Sequence, residues 1–99
     1  MQNEIKVKVG DDFTIGLEGN PTTGYIWEIS SSTDYLHLMK VIDTYWKVDR
    51  SIVGAAAIQN FVFKSLSVGS LALTFRYARP WEKENYLEER IFHIQIVDN

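Results

Sequence analysis

A two-residue rhythm of apolar side chains, returning in short bursts, limits this chain more than any other feature. Ile5, Val7 and Val9 alternate with Lys6 and Lys8; Phe13, Ile15 and Leu17 alternate with Thr14 and Gly16. The pattern returns at Leu71, Leu73, Phe75 and Tyr77, and again at Phe92, Ile94 and Ile96. Successive side chains of a strand point to opposite faces, so each burst presents one apolar face to a core and one polar face to water. Helix has little hold: Ala55-Ala56-Ala57 favours it locally but is too short to nucleate one.

Turn residues punctuate the bursts. Gly10-Asp11-Asp12 should join the first two strands as a hairpin or a tight corner. Gly19 to Gly24 separates the second from a strand over Tyr25–Ile29, and Ser30–Asp34 reads as polar loop. Leu36–Val48 is less regular and should hold one or two strands, with Asp49–Ala56 a loop and Gln59–Leu66 a further strand. Ser67-Val68-Gly69 is a short turn, and Arg79–Glu89 a long polar connection before the last strand. Seven or eight short strands with turns at intervals of roughly 8–12 residues predict an all-β, Ig-like antiparallel β-sandwich, with a small closed barrel as second choice. At 99 residues the chain is expected to form one domain, 1–99, since two cores would each be too small. No repeat or linker interrupts it.

Composition narrows the function classes. Ten basic against thirteen acidic residues give a net charge of −3, which argues against nucleic-acid binding and against a polybasic membrane anchor. There is no cysteine, which excludes thiol nucleophiles, thiolate metal sites and disulfides. No apolar run approaches the ~20 residues that span a bilayer. The opening Met1-Gln2-Asn3-Glu4 lacks the basic region and apolar run of a leader, so a cytoplasmic location is expected.

Catalysis finds little support. His37 and His93 are the only imidazoles, and neither stands at metal-ligand spacing from another donor. No nucleophile elbow, phosphate loop or zinc-peptidase motif occurs. Glu82, Glu84, Glu88 and Glu89 read as a solvated acidic surface. The expectation is a binding protein without cofactor, metal or small-molecule substrate, rather than an enzyme.

Three loops carry unusual chemistry. In Asn20-Pro21-Thr22-Thr23-Gly24-Tyr25, proline fixes one φ, the threonines are stiff at χ1, and Gly24 is expected to take a positive φ. Such a loop is shaped before it meets a partner and loses little entropy on binding. In Ser51–Ala57, the small residues Val53, Gly54, Ala55 and Ala56 would let the main chain approach another surface. In Arg79-Pro80-Trp81-Glu82, a stiffened loop carries Arg and Trp, the types enriched at interface hot spots. With seven strands in Ig-like order, these would be the second, fourth and sixth connections, all at one end of the sandwich.

The loops Asn20-Pro21-Thr22-Thr23-Gly24-Tyr25 and Arg79-Pro80-Trp81-Glu82, in this order and spacing, resemble the signature of the chagasin family of cysteine peptidase inhibitors. The resemblance extends over nearly the whole chain. It departs in the middle loop: Gly54 is kept, but Ala56 stands where the family usually carries a second glycine. The resemblance implies a reversible, tight-binding inhibitor of papain-like, cathepsin-type cysteine peptidases. It implies that Thr22, Thr23 and Gly24 block the catalytic centre, and that Val53-Gly54-Ala55-Ala56 runs along the non-primed groove. Trp81 would pack on the primed side, with Arg79 and Glu82 adding polar contacts. The competing reading is an adhesion or carbohydrate-binding sandwich in which Trp81 and Tyr86 form a stacking platform. A third, a small enzyme using carboxylates of the Arg79–Glu89 segment, is weaker still.

Overall fold

The computed structural model describes residues 3–31, 33–48 and 57–98. The alternating bursts become strands: β1 (Asn3–Lys8), β2 (Asp12–Gly19), β3 (Ile26–Ile29), β4 (Met39–Val48), β5 (Ala57–Ser65), β6 (Gly69–Ala78) and β7 (Glu88–Val97). They form two sheets, one ordered β1-β7-β6-β3 and the other β2-β5-β4. Ile15, Leu17, Met39, Phe61 and Phe63 of the smaller sheet meet Trp27, Leu73, Phe75, Ile94 and Ile96 of the larger, all buried. The all-β sandwich expected from the sequence is therefore the fold observed.

Of the hairpin or tight corner expected at the first turn, the chain takes the corner, because it crosses to the other sheet there; two other local features differ from the expectation. Gly10 takes φ 91°, its amide donates to the Ser65 carbonyl, and the Ser65 amide donates to the Asp11 carbonyl. The end of β5 thus captures the chain as it leaves β1. Left without β2 as a neighbour, β1 pairs with the last strand, β7, and does so in parallel, Asn3 opposite Phe92 through Lys8 opposite Val97. Finally, the segment after β3 is not plain loop throughout: Thr33–His37 forms a 3₁₀ turn before β4.

The irregular stretch that becomes β4 has a physical cause. Its register against β5 shifts between Val41 and Asp43, leaving Ile42 as the extra residue. Such a bulge exchanges the two faces of a strand. Met39 and Val41 pair with Ser65 and Phe63 before it, whereas Thr44 and Trp46 pair with Phe61 and Gln59 after it.

One polar residue ties the two sheets together. Trp27 lies on the edge strand β3, so its main-chain N–H and C=O have no strand to meet on the open side. The Gln59 side chain, reaching across from β5 and only 8% exposed, accepts from Trp27 N at 2.8 Å and donates to Trp27 O at 2.9 Å. It thereby stands in for a neighbouring strand. The Trp27 indole N–H donates to the Glu18 carbonyl at 3.1 Å, joining β3 to β2. Gln59→Leu keeps the volume but leaves both Trp27 groups unpaired; each costs about 1–3 kcal/mol when buried. Thermal unfolding of this variant is expected roughly 10 °C or more below that of the parent chain, at about 4–8 °C per kcal/mol.

Candidate functional site

Strand register puts the ends of several connections side by side. At one end of the smaller sheet, Ala57 is opposite both Gly19 and Val48. At the matching end of the larger sheet, Ile26 is opposite Ala78 and Tyr77 is opposite Glu88. The first loop, between β2 and β3, and the third, between β6 and β7, therefore rise from one end of the sandwich. The strand ends flanking the middle connection, Val48 and Ala57, are at that same end. Val53, Gly54, Ala55 and Ala56 lie outside the described residues.

The first loop is held by its own side chains. Asn20 caps a 3₁₀ turn over Pro21–Thr23, with extended backbone (φ −134°, ψ 101°) that suits the residue before proline. Its Oδ1 accepts from Thr22 N at 3.0 Å and from Thr22 Oγ1 at 2.6 Å. The Thr23 hydroxyl donates to the Asn20 carbonyl at 2.8 Å and accepts from Tyr25 N at 3.3 Å. Gly24 then turns the chain in the left-handed region, φ 83° and ψ −6°, as expected from its place in the motif. Side chains of this kind in an Asx-type turn replace the main-chain partners that a short exposed loop lacks. The outcome is a projecting tip, Pro21, Thr22 and Thr23, that is exposed yet internally bonded.

The third loop begins with a turn in which Glu82 N donates to the Arg79 carbonyl at 2.8 Å, with Pro80 stiffening its second position. Trp81 is 70% exposed. It does not fold back over the core. Its indole N–H donates to Glu82 Oε1 at 3.2 Å, and Arg79 Nη1 lies 3.8 Å from the same oxygen. Further along, Leu87 N donates to the Tyr77 carbonyl at 2.8 Å, and Lys83 pairs with Glu28 of β3 at 3.4 Å. On the outer face below, Arg76 donates to Glu89 at 2.8 Å, and this hydrogen bond holds the guanidinium pKa above its usual value.

The two loops touch. A methyl group placed on Gly24 would stand 3.2 Å from Cη2 of Trp81 and 4.0 Å from Nε of Arg79. The Arg79 guanidinium lies 4.6 Å from the centre of the Tyr25 ring. A closed circuit results: Tyr25 to Arg79, Arg79 to Glu82, Glu82 to Trp81, and Trp81 back to Gly24. Each exposed link is weak, about 0.5–1 kcal/mol for a cation–π contact and up to about 1 for an ion pair. Together they fix the direction in which the tryptophan points.

All the described candidates, Asn20 through Tyr25 and Arg79 through Glu82, are thus gathered at one end. Two residues that matter to this end carry no motif of their own. Gln59 looks like any polar residue in a strand. Tyr77 belongs to an apolar burst, although a tyrosine near a strand end carries a hydroxyl that needs a partner when buried. Among the described residues, no group of three or more His, Asp or Glu is placed to hold a metal ion.

An all-β sandwich with an internally bonded, aromatic-tipped loop end presents a surface of the kind that binding modules use. Comparison with known proteins specifies which kind. The family model described as Chagasin family peptidase inhibitor I42 matches residues 6–96. Amoebiasin-2 of Entamoeba histolytica is 33% identical over 79 residues; that match covers 80% of this chain and 64% of amoebiasin-2, just under two thirds of its length. Chagasin of Trypanosoma cruzi is 29% identical over 89 residues, covering 87% of this chain and 81% of chagasin. The crystal structure of the cysteine protease inhibitor EhICP2 from Entamoeba histolytica superimposes with a TM-score of 0.78 at 28% identity, covering 96% of this chain and 86% of that one. The chain belongs to the chagasin family of peptidase inhibitors, proteins that inhibit proteases and are not enzymes.

Proposed function

We propose that this chain is a reversible, tight-binding inhibitor of papain-like cysteine peptidases, and that it acts by inserting its loop end into the active-site cleft. The observation that carries the proposal is the meeting of the first and third loops, from distant parts of the chain, at the exposed end: Arg79 lies over the Tyr25 ring, and a Cβ added to Gly24 would meet Trp81. The internally bonded tip Pro21–Thr23 would act as a wedge and approach the catalytic Cys–His pair. Its Thr22 and Thr23 hydroxyls are engaged within the loop, which resists rearrangement into a cleavable extended strand. Trp81 would lie against the primed side, where a partner's aromatic or aliphatic surface would cover it. Val53–Ala56 would follow the non-primed groove by main-chain contacts. An interface of about 800 Å² per partner is within reach of three loops.

The carbohydrate-platform reading receives no help from the geometry. The Arg76 guanidinium sits 4.3 Å from the centre of the Tyr86 ring and occupies one of its faces.

Titration of purified protein against papain with a fluorogenic substrate tests the proposal. The expected result is a stoichiometric endpoint, with activity recovered on dilution. Full peptidase activity in the presence of excess protein, for papain and for cathepsin-type enzymes alike, would overturn it.

A further inference from the structure

Tyr77 has a ring and a hydroxyl that do different jobs. The ring is packed: its centre is 5.0 Å from that of Trp27 and 5.5 Å from that of Tyr25. Gly19 passes so close that a methyl on it would stand 3.1 Å from Tyr77 Cε1. The hydroxyl extends beyond this packing to the stem of the first loop, where Asn20 N donates to it at 2.9 Å. Asn20 is the residue on which the rest of that loop depends, since its side chain and carbonyl hold Thr22 and Thr23.

We infer that Tyr77 is a positioning residue for inhibition: its hydroxyl anchors Asn20 to β6, and through Asn20 it presets the tip that enters the peptidase cleft. The inference rests on the proposed reading of this end as the peptidase-binding edge. Tyr77 need not touch the peptidase for this. The hydrogen bonds among Asn20, Thr22 and Thr23 fix the shape of the tip, whereas its placement on the sandwich depends on how Asn20 is held, and the Tyr77 hydroxyl holds it. Removing one anchoring hydrogen bond therefore lowers the fraction of molecules with a binding-ready tip. The apparent affinity falls in proportion to that fraction.

Tyr77→Phe removes the hydroxyl and keeps the ring. The inhibition constant against papain is expected to rise about three- to fivefold, mainly through slower association, as one hydrogen bond's worth of preorganisation is lost. Amide hydrogen exchange supplies a readout that needs no peptidase: the Asn20 amide should exchange faster in the variant, with those of Phe63 and Leu73 in the core unchanged. An unchanged inhibition constant in the folded variant would overturn the inference. So would weaker inhibition with Asn20 exchange unaltered, or weaker inhibition through faster dissociation alone, which would mark a direct contact. If the parent chain itself fails to inhibit, the proposed function falls, and the Asn20 exchange rate alone then decides whether the hydroxyl positions the loop.

Discussion

Gly24→Val is expected to raise the inhibition constant against papain by about a hundredfold. Two effects add. Gly24 holds φ 83°, a conformation that costs a residue with a Cβ about 1–2 kcal/mol, and a β-branched one more. The new side chain would also begin 3.2 Å from Cη2 of Trp81, so the indole must move. Displacing a central aromatic anchor costs about 2 kcal/mol or more. A total near 3 kcal/mol corresponds to about two orders of magnitude in affinity. Gly10 provides the control. It has a similar φ, 91°, lies at the opposite end of the sandwich, and has nothing within 4 Å of an added methyl. Gly10→Val should lower the melting temperature through strain while leaving inhibition unchanged. Equal losses of inhibition in the two variants would mean that Gly24 acts only through general stability.

Trp81→Ala is expected to raise the same constant at least tenfold with the melting temperature nearly unaltered. The indole is mostly in solvent, so little core packing is lost with it. What is lost is a large apolar surface already aimed, through Glu82 on one side and Gly24 on the other, before any partner arrives. Preorganised aromatic anchors contribute most to binding because little side-chain entropy remains to be lost. Substrate titration and a thermal melt on the same preparation separate the two effects. A folded Trp81→Ala variant with parental inhibition would remove Trp81 from the mechanism.

The strands were legible because period two is a local signal, and burial followed it. In β2 and β7, Ile15, Leu17, Ile94 and Ile96 are all buried, with exposed residues between them. The shape of the first loop was legible for the same reason. Pro21 restricts its own backbone and Gly24, with no Cβ, is free to enter the left-handed region, so positive φ at Gly24 could be expected from the sequence. What could not be seen depends on distant parts of the chain. The parallel pairing of β1 with β7 joins residues about ninety positions apart, and no local pattern encodes it. The bulge at Ile42 exchanges the faces of β4 midway, which is why alternation fades there. Gln59 has its role only because β3 is an edge strand whose open side faces β5. Tyr77 supplied its ring to the periodic pattern, but the partner of its hydroxyl lies 57 residues away.

A crystal structure of the chain bound to papain would test the loop-wedge mechanism most directly. It is expected to show Thr22, Thr23 and Gly24 against the catalytic cysteine and histidine, with the Trp81 indole covered on the primed side. An inhibited complex in which these residues remain in solvent, and some other face of the sandwich meets the enzyme, would contradict it.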